Sequence, residues 1–194
     1  IVKLKYLCRI KGLMRVTLKI KIKEIPEIKA ISNSYQKAIQ FGVNTCWREN
    51  IKHKFALHHL IYKKIRSKFN LKAQFSCNAI AKAFECYQSS KYLRGSKPFI
   101  KSAPILFDKR LASFKWDKIR ITTNNKRVDI PLNIPEYYSK YHSWNFQTAM
   151  LIKDKQGRWF FHITVSKDIT ANSDTQKIVG VDVGVNNLAV TSEG

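Results

Sequence analysis

The apolar spacing of this chain changes period twice, and that change restricts its fold more than any other feature. From Met14 to Ile22 the apolar residues alternate: Met14, Val16, Leu18, Ile20 and Ile22 on one face, Arg15, Thr17, Lys19 and Lys21 on the other. A period of two predicts a half-buried strand, here with a cationic outer face. Pro26 ends it. From Ile28 the steps become three and four, through Ile31, Tyr35, Ala38, Ile39, Gly42, Val43, Cys46 and Trp47. That is one apolar stripe along a helix of about five turns. A second helix is expected from about His53 to Phe69, with Leu57, Leu60, Ile61 and Ile65 inward. A third is expected after Ser76, taken as its N-cap, with Ile80, Ala81, Phe84 and Tyr87 on one side. Three consecutive amphipathic helices predict a small bundle.

After Leu93 the helical period stops, and Arg94–Pro98 has the composition of a linker. Strands are expected at Phe99–Phe107, Lys118–Thr123 and Arg127–Leu132, the last two joined by a polar turn at Asn124–Lys126. Phe146–Lys153 and Arg158–Ser166 flank Asp154–Gly157 and predict a hairpin. Its second strand puts Trp159, Phe161, Ile163 and Val165 on one face and Arg158, Phe160, His162 and Thr164 on the other. A polar spacer, Lys167–Gln176, precedes the final segment. The fold class is therefore α+β: a strand, a helical insertion, then several strands.

Charge narrows the function. The 194 residues carry 36 Lys+Arg against 13 Asp+Glu, a formal net charge of +23, yet 44% are hydrophobic. That is enough to bury a core, so the chain is not a disordered basic tail. Self-repulsion of this size calls for a polyanionic partner whose phosphates accept Lys and Arg. No acid occurs from Asn50 to Phe84, while Lys52, Lys54, Lys63, Lys64, Arg66, Lys68, Lys72 and Lys82 do. An ordinary solvated helix face mixes both signs, so phosphate contact is expected at Lys52, Lys54, Lys63, Lys64, Arg66 and Lys68. Lys64 and Lys68 share a face flanked by Lys63 and Arg66, and His58 and His59 add to the region. Lys19 and Lys21 form a second candidate surface. Trp116, Tyr137, Tyr138, Tyr141 and Trp144 fall in expected loops, where they either stack on unpaired bases or pack beside the core. The residues leave both open. His162 is expected to be structural.

The four cysteines, Cys8, Cys46, Cys77 and Cys86, form no C-x-x-C pair and are too sparse for a secreted disulfide framework. They suggest a reducing, cytoplasmic setting. Lys or Arg interrupts every apolar run short of a membrane span, so no membrane partner is expected. Ile1–Leu13 lacks the h-region of a signal peptide. Met14 is either the natural start, with residues 1–13 a possible upstream extension, or Ile1–Leu13 is an ordinary first strand.

Near the end, Lys177–Val183 is an apolar strand containing one carboxylate, Asp182, with Gly180 and Gly184 beside it. Asn186-Asn187 forms a turn, and Leu188–Thr191 is the next expected strand. A carboxylate in a buried strand loses hydration unless it meets a cation. Mg²⁺ shared with phosphate oxygens is one partner; capping the turn is the other reading.

The stretch GVDVGVNNLAVTSEG, Gly180–Gly194, resembles the first nuclease motif of the OrfB/TnpB proteins of insertion sequences. These are commonly called transposases, and are similar to compact type V CRISPR effectors. Upstream, MRVTLKIKI resembles the family's opening strand, and GRWFFHITV (Gly157–Val165) resembles the strand that closes its barrel. Only the GVDVGVNNLAV stretch is specific; the rest is order and pattern. The resemblance implies an OB-like (wedge) β-barrel over residues 14–27 and 97–168. Residues 28–96 would be the recognition helices, and 175–194 the start of an RNase-H-like (RuvC) domain. It also implies that Asp182 is catalytic and a Mg²⁺ ligand, and that the partners are guide RNA and target DNA, with base pairing reading the target. The family's other acidic ligands and its zinc-binding cysteines lie beyond this first motif. The expectation is therefore a truncated or frameshifted copy, or a partial gene, inactive alone. The alternative is a stand-alone basic RNA- or DNA-binding module.

Overall fold

The computed structural model describes residues 10–93, 95–171, 181–182 and 190–191, with side chains described through Asp168. Gly180, Gly184, the Asn186-Asn187 turn, residues 1–9 and the side chain of Asp182 lie outside that description.

Strand β1 spans Ile10–Ile22. Its inward row is Leu18, Ile20 and Ile22, while Met14, expected inward, is 45% exposed. Helix α1, Pro26–Glu49, starts with Pro at its first turn, where the missing N–H costs nothing. The expected stripe is buried from Ile28 to Cys46, but Trp47 turns to the surface against Tyr87. Asn50 closes α1 in the left-handed conformation (φ 47°), and Asn70 closes α2, Lys54–Phe69, in the same way (φ 49°). Leu57, Ile61 and Ile65 face inward on α2; Leu60, expected with them, is 45% exposed. Helix α3 runs Ala73–Tyr92 with Lys72 at its N-cap, so Ser76 does not cap it. Ser76 lies inside the helix, fully buried, and its Oγ donates to the carbonyls of Leu71 and Lys72. Ser76 is tolerated there because a serine hydroxyl can bond back to the preceding turn.

The strands form separate antiparallel sheets. One has the order β1-β7-β6-β2, with β2 at Ile105–Phe107, β6 at Asn145–Lys153 and β7 at Trp159–Ala171. The β6–β7 hairpin matches Met150 with His162 and Ile152 with Phe160. Its turn uses Gly157 at φ 82° and the Asp154 carboxylate, which accepts from the Arg158 N–H at 2.8 Å. The second sheet has the order β3-β4-β5, at Ala112–Lys115, Lys118–Thr122 and Arg127–Pro131. A 3₁₀ turn, Glu136–Tyr141, precedes β6. Among the described residues no barrel closes. The short edges β2 and β3 do not pair with each other.

The expected strand at Phe99–Phe107 exists only from Ile105, for a local reason. Upstream, helix α1 takes the backbone: Gln36 donates to the Ile100 carbonyl at 2.7 Å, Gln40 Oε1 accepts the Ile100 N–H at 2.7 Å, and Gln40 Nε2 reaches the Pro98 carbonyl. Those polar groups are satisfied without a neighbouring strand. The core runs unbroken from helices to sheet through Phe75, Phe107 and Phe161, whose rings meet edge to face at 5.5 and 6.1 Å.

Arg15–Ser166 forms one compact unit, and a second is drawn from Ile1–Met14 and Lys167–Gly194. In the second, β8 (Val181–Asp182) pairs antiparallel with β9 (Val190–Thr191), setting Asp182 opposite Val190.

Candidate nucleic-acid interface

Seven of the described acids are held in ion pairs. Asp129 is held by Arg120 and Lys118, Asp154 by Arg158, and Asp108 by Arg110. Glu24 pairs with Lys29, Glu27 with Lys126, Glu49 with Arg48 and Glu85 with Lys82. Arg120 and then Lys118 hold the Asp129 carboxyl below the usual range. Glu24 is also lowered, first by the Trp159 indole N–H at 2.8 Å. These carboxylates are bound to partners and do not shield the rest of the surface.

Helix α2 is therefore the densest uncompensated stretch. Lys54, Lys63, Lys64, Arg66 and Lys68 on it, and Lys52 just before it, are all exposed. None pairs with a described carboxylate. Helical phase divides them. Lys64 and Lys68, four apart, lie beside the buried row; Lys63 and Arg66, three apart, lie on the helix face turned away from it. The expected single patch is thus two rows, with Arg66 across the helix from Lys64 and Lys68. Several heads rest near rings: Arg66 at 5.9 Å from Tyr62, Lys68 at 5.2 Å from Phe41, and Lys54 at 5.8 Å from Phe55. Tyr62 in turn stacks on His58 at 4.7 Å, which makes a His58–Tyr62–Arg66 ladder four residues apart along one edge.

Lys19 and Lys21 project from the outer face of β1 and are exposed. Lys19 Nζ lies 4.8 Å from the Phe160 ring on β7, and its backbone N–H donates to Tyr138 Oη at 3.1 Å. That hydroxyl satisfies one group of an edge strand, which would otherwise invite pairing with another chain. His162 is half-buried on the same face. Burial, and then the charge of Lys19, lower its pKa, so the imidazole is mainly neutral at pH 7.

Of the loop aromatics, Trp116, Tyr138, Tyr141 and Trp144 pack against the core. Trp116 sits 5.0 Å from His142, and Tyr141 meets Trp144 at 4.9 Å. Tyr137 remains 66% exposed, its ring 4.2 Å from that of Tyr138 with the planes tilted by 50°. The aromatics that reach the basic surface are others, Phe160, Phe55 and Tyr62. In the sequence, the spacing of His58, Tyr62 and Arg66 signals the ladder once α2 is placed; Phe55 carries no such mark.

Asp182 lies in β8. Among the described residues no three His, Cys, Asp or Glu side chains gather to hold a metal ion. No described helix is long and apolar enough to cross a membrane. No protein-family model matches the chain.

Proposed function

We propose that this chain is the nucleic-acid-binding portion of an RNA-guided DNA nuclease of the OrfB/TnpB kind, acting in the cytoplasm. One observation carries the binding half: α2 presents a run of exposed cations with no acid in the helix and no described ion pair. Such a helix repels itself unless an anion covers it. Phosphates cover it without regard to sequence, which suits a protein whose guide RNA does the reading. Lys19 and Lys21 give a second line of phosphate contact on the sheet.

The nuclease half rests on the GVDVGVNNLAV motif. In this reading the two open sheets stand for the family's OB-like barrel domain and α1–α3 for its recognition helices. The antiparallel β8–β9 pair supports an RNase-H-like beginning. Asp182 offers Mg²⁺ one carboxylate, and the described residues supply no completed two-metal centre. The zinc of the family would belong to cysteines other than those of the described surface.

A second reading, a self-sufficient RNA- or DNA-binding module, is favoured by the compactness of Arg15–Ser166 around its own core. In that reading Asp182 has no metal role. Titrating labelled RNA and DNA by fluorescence anisotropy tests what the readings share; no binding in about 50 mM salt, where phosphate contacts are strong, overturns both. Mn²⁺ titration of Asp182, followed by paramagnetic broadening, separates them. Site-specific broadening lost in Asp182→Ala supports the nuclease reading, and none supports the module.

A further inference from the structure

A cavity of about 390 Å³ opens between the first turns of α2 and the first half of α3. Its floor is apolar, Ile80 and Ala81, and its walls include the rings of Phe55 and His58. Lys54 and His59 stand among its lining residues, and no acid does.

A single exposed phenylalanine is ordinary. Phe55 is not ordinary in context: it is 73% exposed beside an apolar cavity floor, on the most cationic of the described helices. The His58 side is held in place. His58 stacks on Tyr62 with planes 21° apart, and its Nε2 lies 3.7 Å from the Cys77 sulfur. Asn78 supplies a polar edge. Its Oδ1 accepts from Gln74 at 3.0 Å, while its Nδ2 makes no hydrogen bond among the described residues. The volume lies in the range of small-ligand cavities, about 300–1,000 Å³. Flat aromatic walls, an apolar floor, one free amide donor and a cationic mouth match a planar heterocycle joined to phosphates.

We propose that this cavity takes one unpaired nucleobase from the nucleic acid bound along α2. The base stacks against Phe55 and His58, the Asn78 amide meets its edge, and the adjoining phosphates lie at Lys52 and Lys54. The inference rests on the nucleic-acid reading above and deepens it, because phosphate contact alone does not distinguish paired from unpaired strands.

The test uses the full chain, its Phe55→Ala variant, and single-stranded RNA and DNA of one sequence carrying 2-aminopurine, with the matching duplexes. Phe55 is exposed, so its removal leaves the core intact. The expected result is quenching of 2-aminopurine in a single strand by the wild type. Phe55→Ala should lose that quenching and bind the single strand about 5- to 150-fold more weakly, while duplex affinity changes less than about twofold. Loss on RNA, DNA or both supports the site and names its source. Unchanged single-strand affinity with duplex binding intact overturns the pocket and leaves the phosphate reading standing. Equal loss on duplex and single strand overturns it as well, since Phe55 would then act on the whole surface. So does an apolar dye held in the cavity that no oligonucleotide displaces. A wild type that binds neither strand type nor duplex overturns both readings.

Discussion

Replacing Gly42 with alanine sets two effects of opposite sign against each other, and the structure says which prevails. Gly42 is buried in the middle of α1. Helix propensity alone favours the change by about 1 kcal/mol. A Cβ built at Gly42 would lie 2.6 Å from the Cβ of Ala83 on α3 and 3.5 Å from Ile61 Cδ1 on α2. The second distance is an ordinary contact. The first is about 1 Å too short for two carbons, and neither Cβ has a rotamer to change. The helices themselves must separate, and overpacking of this kind costs about 1–3 kcal/mol or somewhat more. With both sites fully enclosed the upper part of that range applies, so the net is a loss of about 1–2 kcal/mol. For a chain of this size that lowers Tm by about 2–8 °C. Thermal unfolding followed by circular dichroism measures it. Adding Ala83→Gly removes the collision, so the double variant should be more stable than the sum of the two single changes predicts. A Gly42→Ala protein that melts above the wild type would show that α1 does not lie so close to α3.

Other outcomes follow from local geometry. Asn70 caps α2 at φ 49°. Asn70→Ala should destabilise by about 1 kcal/mol and Asn70→Gly should not; equal melting of the two would contradict the left-handed cap. Asp129 is held below its usual range by Arg120 and Lys118. A depressed carboxylate contributes stability above its unfolded pKa, about 3.9, and loses it as pH falls toward the folded value. Urea midpoints should therefore separate wild type from Asp129→Asn at about pH 7, and the gap should narrow steadily as pH falls below about 4. A constant gap would show that the ion pair does not form.

The elements that periodicity revealed are those whose burial is one-sided. Leu18, Ile20 and Ile22, the α1 stripe and the Trp159–Val165 row each face one core, so their spacing carries the answer. What failed depended on partners elsewhere in the chain. Phe99–Pro104 looks like the start of a strand until Gln36 and Gln40 claim the backbone at Pro98 and Ile100. Leu60 fits the α2 stripe in composition but turns out to the surface. Ser76 resembles a cap, yet α3 begins at Ala73. At the interface, the absence of acids over residues 50–84 is legible in one dimension. The division of the lysines into two rows needs the phase of α2. The cavity needs more still, since Phe55 and His58 meet Cys77, Asn78 and Ile80 only when α3 packs beside α2.

On the proposed reading, the α2 cations neutralise phosphates. Each phosphate neutralised contributes about 0.7 to 0.9 to the slope of log K against log salt. Measured between about 50 and 200 mM salt, a steep fall in affinity is expected for the wild type. The variant carrying Lys63→Gln, Lys64→Gln, Arg66→Gln and Lys68→Gln removes four exposed charges without touching the core. Its slope should be shallower by about 1 to 3, and its thermal stability equal or higher, since like charges are relieved. An unchanged slope, with binding otherwise intact, would place the polyanion on another face of the protein and remove α2 from the interface.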